Sequence, residues 1–286
     1  MIIYLNGKFM PVENAKVSVL DRGFIFGDGV YEVIPVYARR AFRLPEHLRR
    51  LQHSLDGIQL PNPHSDDALG KILTELIAQH DSDDQYLYLH ITRGAAERDH
   101  AFPNPPVAPT VFITSKPLNP PAENLLRDGV ACLTATDNRW LRCDIKAISL
   151  LPNVLLRQMA VAAGCAETIL LRENEWLTEG AASNIFVVKN GTLLAPPKDN
   201  LMLPGITYDV ILELAAAHDI PHQVRRISKA ELLAADELLL TSSTKEVLAI
   251  TQLDGKPVGT GKPGAMFQQL HTYYQNFKRN VMRHHD

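Results

Sequence analysis

The stretch GVYEVIPVYARRAFRLPEHLRRLQHSLDGIQL, residues 29–60, contains two hydrophobic patterns in succession. Its first half, GVYEVIPVYARRAFRL, is rich in β-branched and aromatic residues and predicts a pair of strands. Its second half follows a proline, which is typical of a helix start, and carries apolar residues at helical spacing. These residues are Leu48, Leu51, Leu55 and Ile58. A strand pair followed by an amphipathic helix predicts a mixed α+β unit.

The segments on either side extend this pattern. MIIYLNG and KFMPV meet at Asn6-Gly7, a dipeptide typical of a tight hairpin. DDALGKILTELIAQH predicts a second amphipathic helix, and QYLYLHITRG and TVFITSKPL predict two more strands. We therefore expect residues 1–116 to form a small N-terminal α/β domain.

A proline-rich segment separates this part from the rest of the chain. KPLNPPAEN, residues 116–124, has three prolines and little apolar periodicity, so we assign residues 117–123 to a linker. Strand-like runs closed by turns dominate beyond it. Helices are expected near 152–163, 206–218 and 264–280. Residues 124–286 are therefore predicted to form a larger C-terminal domain.

The composition is that of an ordinary globular protein. The chain is 45% hydrophobic and 21% charged, and its net charge of −3 offers no electrostatic case for a nucleic-acid or acidic-membrane partner. The cysteines are odd in number and lack metal-ligand spacing, so we predict no metal site and a reducing cytoplasm. They are Cys132, Cys143 and Cys165. A signal-peptide pattern and a membrane-spanning apolar run are both absent, which favours a soluble protein.

RCDIKAISLLPNV, residues 142–154, places Lys146 among apolar and small residues. The commoner explanation for a single lysine is a side chain that reaches solvent, because lysine is seldom fully buried. The alternative is a Schiff-base lysine, in which desolvation favours the neutral amine that attacks a carbonyl. The residue alone leaves both interpretations open.

A carboxylate next to small residues is the second candidate. In LTEGAASNIFVV, residues 177–188, Glu179 precedes Gly180 and two alanines, so a flat group could approach the backbone closely. If that group were a pyridine ring, a carboxylate would keep its nitrogen protonated and strengthen it as an electron sink. An exposed turn glutamate is the commoner explanation of Glu-Gly.

Two segments could bind an anion. LPGITYDVILELAAAH, residues 203–218, predicts a helix that begins near Ile206, and free N–H groups at such a start attract negative charge. Capping by Thr207 is the simpler explanation. LLLTSSTKE supplies further hydroxyl and amide donors at Ser243 and Thr244, although such clusters also occur in plain turns.

The remaining candidates are a tyrosine and three basic residues. Tyr31 lies on the strand after a glycine-rich run, where a tyrosine is usually part of a sheet, and Arg50 on the next helix is usually a solvated charge. In ITRGAAERDHAFPNPP, residues 91–106, Arg98 and His100 are two positions apart and could clamp a carboxylate. A mobile, solvated loop is the commoner explanation.

These segments occur together in a recognisable order. RGFIFGDGVYEV, RWLRCDIKAISLLPNVL, AETILL, LTEGAASNIF, LPGIT and TSSTKEV resemble the motifs of the fold-type IV pyridoxal-phosphate enzymes. That family comprises D-amino-acid aminotransferases, branched-chain aminotransferases and aminodeoxychorismate lyases. The resemblance covers about residues 2–270. It implies an α+β fold with a β-barrel-like C-terminal domain and pyridoxal 5′-phosphate at the domain interface.

The resemblance also implies roles for the candidates. Lys146 would hold the cofactor covalently and move the proton at the substrate Cα. Glu179 would pair with the pyridine nitrogen, supported by Arg139, and Leu203 would pack against the ring. The cofactor phosphate would contact Arg50, Ile206, Thr207, Ser243 and Thr244.

Within the family, three residues indicate the substrate. D-amino-acid aminotransferases carry residues like Tyr31, Arg98 and His100 that bind the substrate α-carboxylate, and the loop with the last two comes from the neighbouring subunit. The chain therefore resembles a homodimeric D-amino-acid transaminase that converts D-alanine and 2-oxoglutarate to pyruvate and D-glutamate by a ping-pong mechanism. Branched-chain enzymes lack this pair in this loop.

The sequence departs from that pattern at the substrate side. Ala181 and Ala182 replace serines common in D-amino-acid aminotransferases, and Pro35 replaces a longer side chain, so the side-chain preference stays open. A branched-chain L-amino-acid transaminase and an aminodeoxychorismate lyase are the alternatives within the family. A cofactor-free Schiff-base aldolase and a non-catalytic anion-binding module are the alternatives outside it.

Overall fold

A computed structural model describes residues 1–283 of the chain. The described residues form two compact units. The first contains Met1–Asn119, Ile145–Leu150 and residues 282–283; the second contains Pro120–Asp144 and Leu151–Val281. The last three residues of the predicted 124–286 domain lie outside the described residues.

The short segment Ile145–Leu150 packs with the first unit, although the sequence-based limits place it in the second domain. Ile145 and Ala147 belong to the hydrophobic core of the first unit, and Ala147 forms an antiparallel bridge with Val30. Burial of these two side chains is the physical reason for the difference, because it ties the segment to residues more than a hundred positions away.

The first unit contains one sheet and three helices. Its strands are β1 (Ile2–Leu5), β2 (Lys8–Pro11), β3 (Gly29–Tyr37), β4 (Arg40–Ala41), β5 (Gln85–Thr92) and β6 (Thr110–Pro117). Its helices are α1 (Arg22–Phe26), α2 (Leu44–Gly57) and α3 (Asp66–Ala78), with a 3-10 turn at Val12–Asn14. The predicted strands and both amphipathic helices are present, whereas the short α1 was not predicted.

The sheet of the first unit is antiparallel throughout, in the order β2-β1-β6-β5-β3-β4. The predicted hairpin joins β1 and β2, and Asn6 and Gly7 both adopt positive φ. Alternate residues of β3, including Val30, Ile34 and Val36, are buried with the leucines of α2 and α3. Side chains at the odd positions of β3 therefore belong to the opposite face.

The second unit contains nine strands and five helices among its described residues. The strands are β7 (Val130–Thr136), β8 (Glu167–Arg172), β9 (Trp176–Gly180), β10 (Asn184–Lys189), β11 (Thr192–Ala195), β12 (His222–Val224), β13 (Glu237–Ser242), β14 (Glu246–Leu253) and β15 (Lys256–Pro257). The helices are α4 (Glu123–Asp128), α5 (Leu151–Ala162), α6 (Ile206–Ala217), α7 (Lys229–Leu233) and α8 (Ala265–Phe277), the last followed by a π-helical turn at Lys278–Met282.

The sheet of the second unit is a curled half-barrel of mixed strands, as the barrel-like prediction expects. Its order is β12-β11-β10-β13-β14-β7-β8-β9, with β15 beside β14. The pairs β11–β12, β14–β7 and β7–β8 are parallel and the others are antiparallel. Strands β8 and β10 are buried nearly end to end, which explains their continuous apolar sequences.

Within residues 1–283, no helix combines the length and the apolar character needed to cross a bilayer.

Candidate active site

Lys146 is held on the first unit by its own backbone. Its carbonyl oxygen accepts the Tyr31 N–H at 3.0 Å, and its N–H donates to Ser54 Oγ at 3.1 Å. Its side chain is buried, with 9% of the residue exposed, and Nζ lies 4.1 Å from the centroid of the Tyr31 ring. The interpretation of Lys146 as a solvated lysine is therefore wrong. The amine is desolvated and has a fixed place beside an aromatic ring.

Arg50 is also buried, so the interpretation as a solvated charge is wrong. Its Nε and Nη2 donate to the two oxygens of Glu32, each at 2.7 Å, and His47 Nδ1 lies 2.9 Å from the same carboxylate. Burial disfavours the charge of Glu32, but Arg50 and His47 outweigh it and hold the pKa of this carboxyl well below its usual range. The pair fixes the Arg50 guanidinium in one orientation on α2.

Tyr31 belongs to an aromatic cluster on the half-buried face of the β3–β5 pair. Its ring centroid lies 5.7 Å from that of Tyr88, whose hydroxyl is 2.9 Å from His90 Nδ1. Burial raises the pKa of Tyr88 to about 12 and lowers the pKa of His90. The sequence analysis did not identify Tyr88 or His90. Period-two alternation along QYLYLHIT was the signal that places them on one face.

The loop with Arg98 and His100 is anchored, although both side chains are exposed. Arg22 is buried, and its Nη1 donates to the carbonyl oxygens of Asp99 and Ala101 at 2.6 and 3.2 Å. The His100 ring and the Arg98 guanidinium both lie 5.4 Å from the Phe26 ring centroid. Arg22 therefore ties the backbone of the loop to the first unit, and both side chains lie near Phe26.

Glu179 lies near the end of β9 in the second unit and is 4% exposed, so the exposed-turn interpretation is wrong. Arg139 Nη1 donates to Oε1 at 2.5 Å, the Leu203 N–H donates to Oε1 at 3.2 Å, and Asn184 Nδ2 donates to Oε2 at 3.2 Å. Burial raises the pKa of Glu179, and Arg139 opposes that rise. The structure thus brings Glu179 and Arg139 together, and the Leu203 N–H and Asn184 are further partners of the carboxylate.

Asp137 is a residue that the sequence analysis missed. Its two carboxylate oxygens accept Nε and Nη2 of Arg139, each at 2.9 Å, and Oδ2 also accepts the Thr178 hydroxyl at 2.8 Å. Arg172 Nη2 lies 3.2 Å from Oδ2. The spacing Asp-x-Arg beside a turn was the available signal, because an aspartate commonly bonds groups two residues further along.

The start of α6 has a glycine at its N-cap. No side chain among the described residues caps it, so capping by Thr207 is wrong. Ile206 and Thr207 are both buried in the first turn, which leaves an electropositive helix end suited to an anion. A Cβ on Gly205 would lie 2.0 Å from Asn184 Oδ1, so the N-cap backbone lies directly against the residue that holds Glu179.

The hydroxyl cluster after β13 forms a turn. Lys245 N–H donates to Ser242 Oγ at 3.1 Å; Ser243 is half-buried and Thr244 is exposed. The hydrogen bond of this turn uses the Ser242 hydroxyl and does not involve the Ser243 and Thr244 hydroxyls. Both remain candidates for contact with a phosphate.

Of the positions that depart from the family pattern, Ala181 is buried and its carbonyl oxygen accepts Asn153 Nδ2 at 2.8 Å, whereas Ala182 is exposed. Pro35 is buried on β3.

Comparison with known proteins shows similarity to aminotransferases over almost the whole chain. A family model described as amino-transferase class IV matches residues 29–253. The D-alanine aminotransferase of Staphylococcus epidermidis is 38% identical over 282 residues, which cover 99% of this chain and 98% of that protein. The D-alanine aminotransferase of Bacillus licheniformis is 39% identical over 276 residues, which cover 96% of each.

Solved structures give a consistent picture of the fold. The branched-chain amino acid aminotransferase of Escherichia coli superposes with a TM-score of 0.88 at 27% identity, covering 99% of this chain and 94% of that one. The branched-chain enzyme of T.th. with pyridoxamine 5′-phosphate also gives 0.88 at 27% identity, with 96% and 93% covered. The identity to these structures is lower than the identity to the D-alanine enzymes.

Proposed function

The chain belongs to the class IV aminotransferases, and on this premise we propose that it transfers the amino group of D-amino acids, with D-alanine as the type substrate, to 2-oxo acids such as 2-oxoglutarate. The observation that carries the substrate class is the 38% identity to a D-alanine aminotransferase over 99% of the chain. Tyr31, Arg98 and His100, the set expected of such enzymes, support it.

Class IV aminotransferases use pyridoxal 5′-phosphate, and the described residues fit that cofactor. The chain offers a buried amine at Lys146 for an aldehyde and a buried carboxylate at Glu179 for a pyridine nitrogen. The helix start at Ile206 has no side-chain cap among the described residues and suits a phosphate. When bound, the cofactor supplies an electron-withdrawing ring that takes up the electron pair left at the substrate Cα.

Lys146 would hold the cofactor covalently through its buried amine. As a free amine, its Nζ would accept the proton of the substrate Cα. Backbone bonds to Tyr31 and Ser54 support this role because they hold the lysine at one place on the sheet. The Tyr31 ring lies against Nζ and limits the directions from which it can approach.

Glu179 keeps the pyridine nitrogen protonated, and its neighbours keep Glu179 in place. Arg139, Asn184 and the Leu203 N–H restrict the carboxylate to one orientation. The Leu203 side chain, half-buried beside this group, packs against the ring. Arg50, Ile206, Thr207, Ser243 and Thr244 bind the phosphate. That residues of both units serve one cofactor is part of the proposal.

Tyr31, Arg98 and His100 bind the substrate α-carboxylate, with Arg98 and His100 supplied by a second copy of the chain. Their exposure on a loop whose backbone is anchored by Arg22 supports this arrangement. Apolar side chains also remain uncovered on the single chain, as expected of a homodimer. The largest exposures are at Val19, Phe24, Leu141, Leu151 and Val154. The cytoplasmic location inferred from the cysteines stays a prediction.

A branched-chain L-amino-acid transaminase is the second candidate, favoured by the superposition on the Escherichia coli enzyme. The cofactor-free aldolase and the anion-binding module do not agree with the family. An aminodeoxychorismate lyase stays an alternative within the fold, and it would not need a 2-oxo acid as an amino-group acceptor.

The test is the absorption spectrum of the purified protein with bound pyridoxal 5′-phosphate. D-alanine is expected to convert it to the pyridoxamine spectrum with release of pyruvate, and 2-oxoglutarate to reverse the change, whereas L-leucine should leave it unaltered. Conversion by L-leucine alone would contradict the D-amino-acid assignment. Lys146→Ala should form no adduct that borohydride can reduce, because no other amine is assigned to the cofactor.

A further inference from the structure

Four charged side chains of alternating sign lie in a row in the second unit. Arg172 Nη2 lies 3.2 Å from Asp137, Asp137 binds Arg139 through two bonds of 2.9 Å, and Arg139 binds Glu179 at 2.5 Å. Asp137, Arg139 and Glu179 are all buried. Glu179 and Arg139 already have roles in the proposed function, so Asp137 and Arg172 are the two members that require an explanation.

Asp137 determines which guanidinium nitrogen faces Glu179. It occupies Nε and Nη2 of Arg139 and also accepts the Arg139 N–H at 3.2 Å, which leaves Nη1 directed at Glu179. The Thr178 hydroxyl fixes the carboxylate in turn. Burial opposes the charge of Asp137, but its bonds to Arg139 outweigh burial and lower its pKa, so Asp137 is an anion at neutral pH.

The charge of Asp137 matters because the group is desolvated. A guanidinium is always protonated, and in a low-dielectric site its charge acts strongly on neighbouring groups. If Asp137 were absent, the positive charge of Arg139 would largely cancel the negative charge of Glu179. Glu179 would then stabilise a protonated ring nitrogen only weakly. Asp137 neutralises the charge of Arg139, so the negative charge of Glu179 can act on the ring nitrogen.

We propose that Asp137 is a positioning residue that offsets Arg139, so that Glu179 can hold a proton on the pyridine nitrogen of the bound cofactor. The same reasoning gives Arg172 the opposite effect, since it offsets Asp137. This inference rests on the proposed function, because it requires the cofactor beside Glu179.

The test measures the protonation of the ring nitrogen directly. Holoenzyme is prepared with pyridoxal 5′-phosphate labelled with 15N in the ring, and the pH midpoint for loss of the ring proton is read from the 15N chemical shift. Cys143 is a further titratable group beside Arg139 and Glu179; burial raises its pKa to about 11, so its ionisation falls in the alkaline range. Asp137→Asn should lower the midpoint, and Arg172→Gln should raise it.

The opposite signs separate an electrostatic role from a merely structural one. Structural damage would loosen the cofactor in both variants and would not move the two midpoints in opposite directions. Asp137→Asn should also lower kcat for D-alanine by roughly tenfold, with a smaller effect on KM, because an opposite charge at this range is worth one or more pKa units. Asp128→Asn, which removes an exposed carboxylate paired with Arg127, should match the wild type.

Two outcomes would overturn the inference: an unchanged midpoint in Asp137→Asn, or shifts of the same sign in both variants. If Asp137→Asn fails to fold, Arg172→Gln and the charge-preserving Arg172→Lys decide, because equal midpoints in those two would contradict it. Failure of the proposed function looks different. In that case the wild type itself would bind no cofactor or would not convert D-alanine.

Discussion

At the scale of single residues, the site depends on contacts too close to tolerate added atoms. The backbone of Gly205 lies against Asn184, whose amide bonds both Glu179 and the Leu203 carbonyl oxygen. One glycine therefore links the helix start proposed for the phosphate to the carboxylate proposed for the ring nitrogen. Gly205 has an ordinary φ of −71°, so the requirement for glycine is one of space and not of backbone conformation.

Gly205→Ala should destabilise the protein by about 1–3 kcal/mol, the usual cost of forcing extra volume into a packed site, and should weaken cofactor binding. The reason is that the new methyl would displace Asn184 from Glu179. Urea unfolding and cofactor titration measure the two effects.

Gly70→Ala is the matched control for Gly205→Ala. Gly70 lies inside α3, and apart from its chain neighbours and the backbone of its own helix, no atom of the described residues lies within 4 Å of an added Cβ. Its unfolding free energy should stay unchanged or rise by about 0.5–1 kcal/mol, because alanine is the better helix former. Equal behaviour of the two variants would contradict the packing argument.

At the scale of elements, α2 is joined to β3 by a buried ion pair as well as by leucines. Arg50 and His47 of α2 both bind Glu32 of β3. A buried pair of this kind adds little net stability compared with apolar residues, but removal of one member leaves the other charge without compensation. The pair therefore holds α2 at one register on the sheet and holds Arg50 in a fixed orientation.

Glu32→Gln should lower the unfolding free energy by about 3–5 kcal/mol, because buried Arg50 would lose two charge-assisted hydrogen bonds to the Glu32 carboxylate. Chemical unfolding monitored by circular dichroism measures this. Asp83→Asn serves as the control, since Asp83 is exposed in its pair with Arg39 and the change should cost less than about 1 kcal/mol. Similar losses in the two variants would mean that burial of the Glu32 pair has no special weight.

The same ion pair predicts how stability depends on pH. The pKa of Glu32 in the folded state lies below its ordinary value of 4.5, so the unfolded chain binds the proton more readily. The stabilisation is fully present above pH 4.5 and decreases as the pH falls toward the lowered folded pKa. Unfolding curves measured across this range should fall less steeply for Glu32→Gln than for the wild type. Parallel curves would contradict the assignment.

At the scale of the whole molecule, the proposed carboxylate-binding site requires two chains, because Tyr31 comes from one chain and Arg98 and His100 come from the other. If Arg98 acts on the site of the neighbouring subunit, Lys146→Ala and Arg98→Ala chains will complement each other. A mixed dimer then has one site with both residues intact and one site with neither. This follows from the two-fold symmetry expected of a homodimer.

Equal amounts of the two inactive variants, unfolded and refolded together, should regain about a quarter of the wild-type activity, because half of the dimers are mixed and each has one intact site. Activity with D-alanine measures it. Each variant refolded alone is the control. A mixture as inactive as its components, at a dimeric mass by light scattering, would place Arg98 in its own subunit's site or outside the site.

The sequence by itself determined the local pattern and the chemistry. The helices, strands and glycine turns follow from periodicity and turn residues, because these depend on neighbours a few positions apart. The order of the motifs identified the family. Lys146 and Glu179 received their predicted roles from their positions in that order, because each residue alone also had a commoner explanation.

Only the tertiary structure decided the partners. The bonds from Arg139 to Glu179 and from Arg50 to Glu32 span 40 and 18 positions, and no periodicity relates such residues. Burial likewise depends on the packed neighbours, so Lys146 and Arg50 could be desolvated functional groups or solvated charges until the fold was known. The segment Ile145–Leu150 joined the first unit for the same reason: its apolar side chains are buried in a core built by residues far away in the chain.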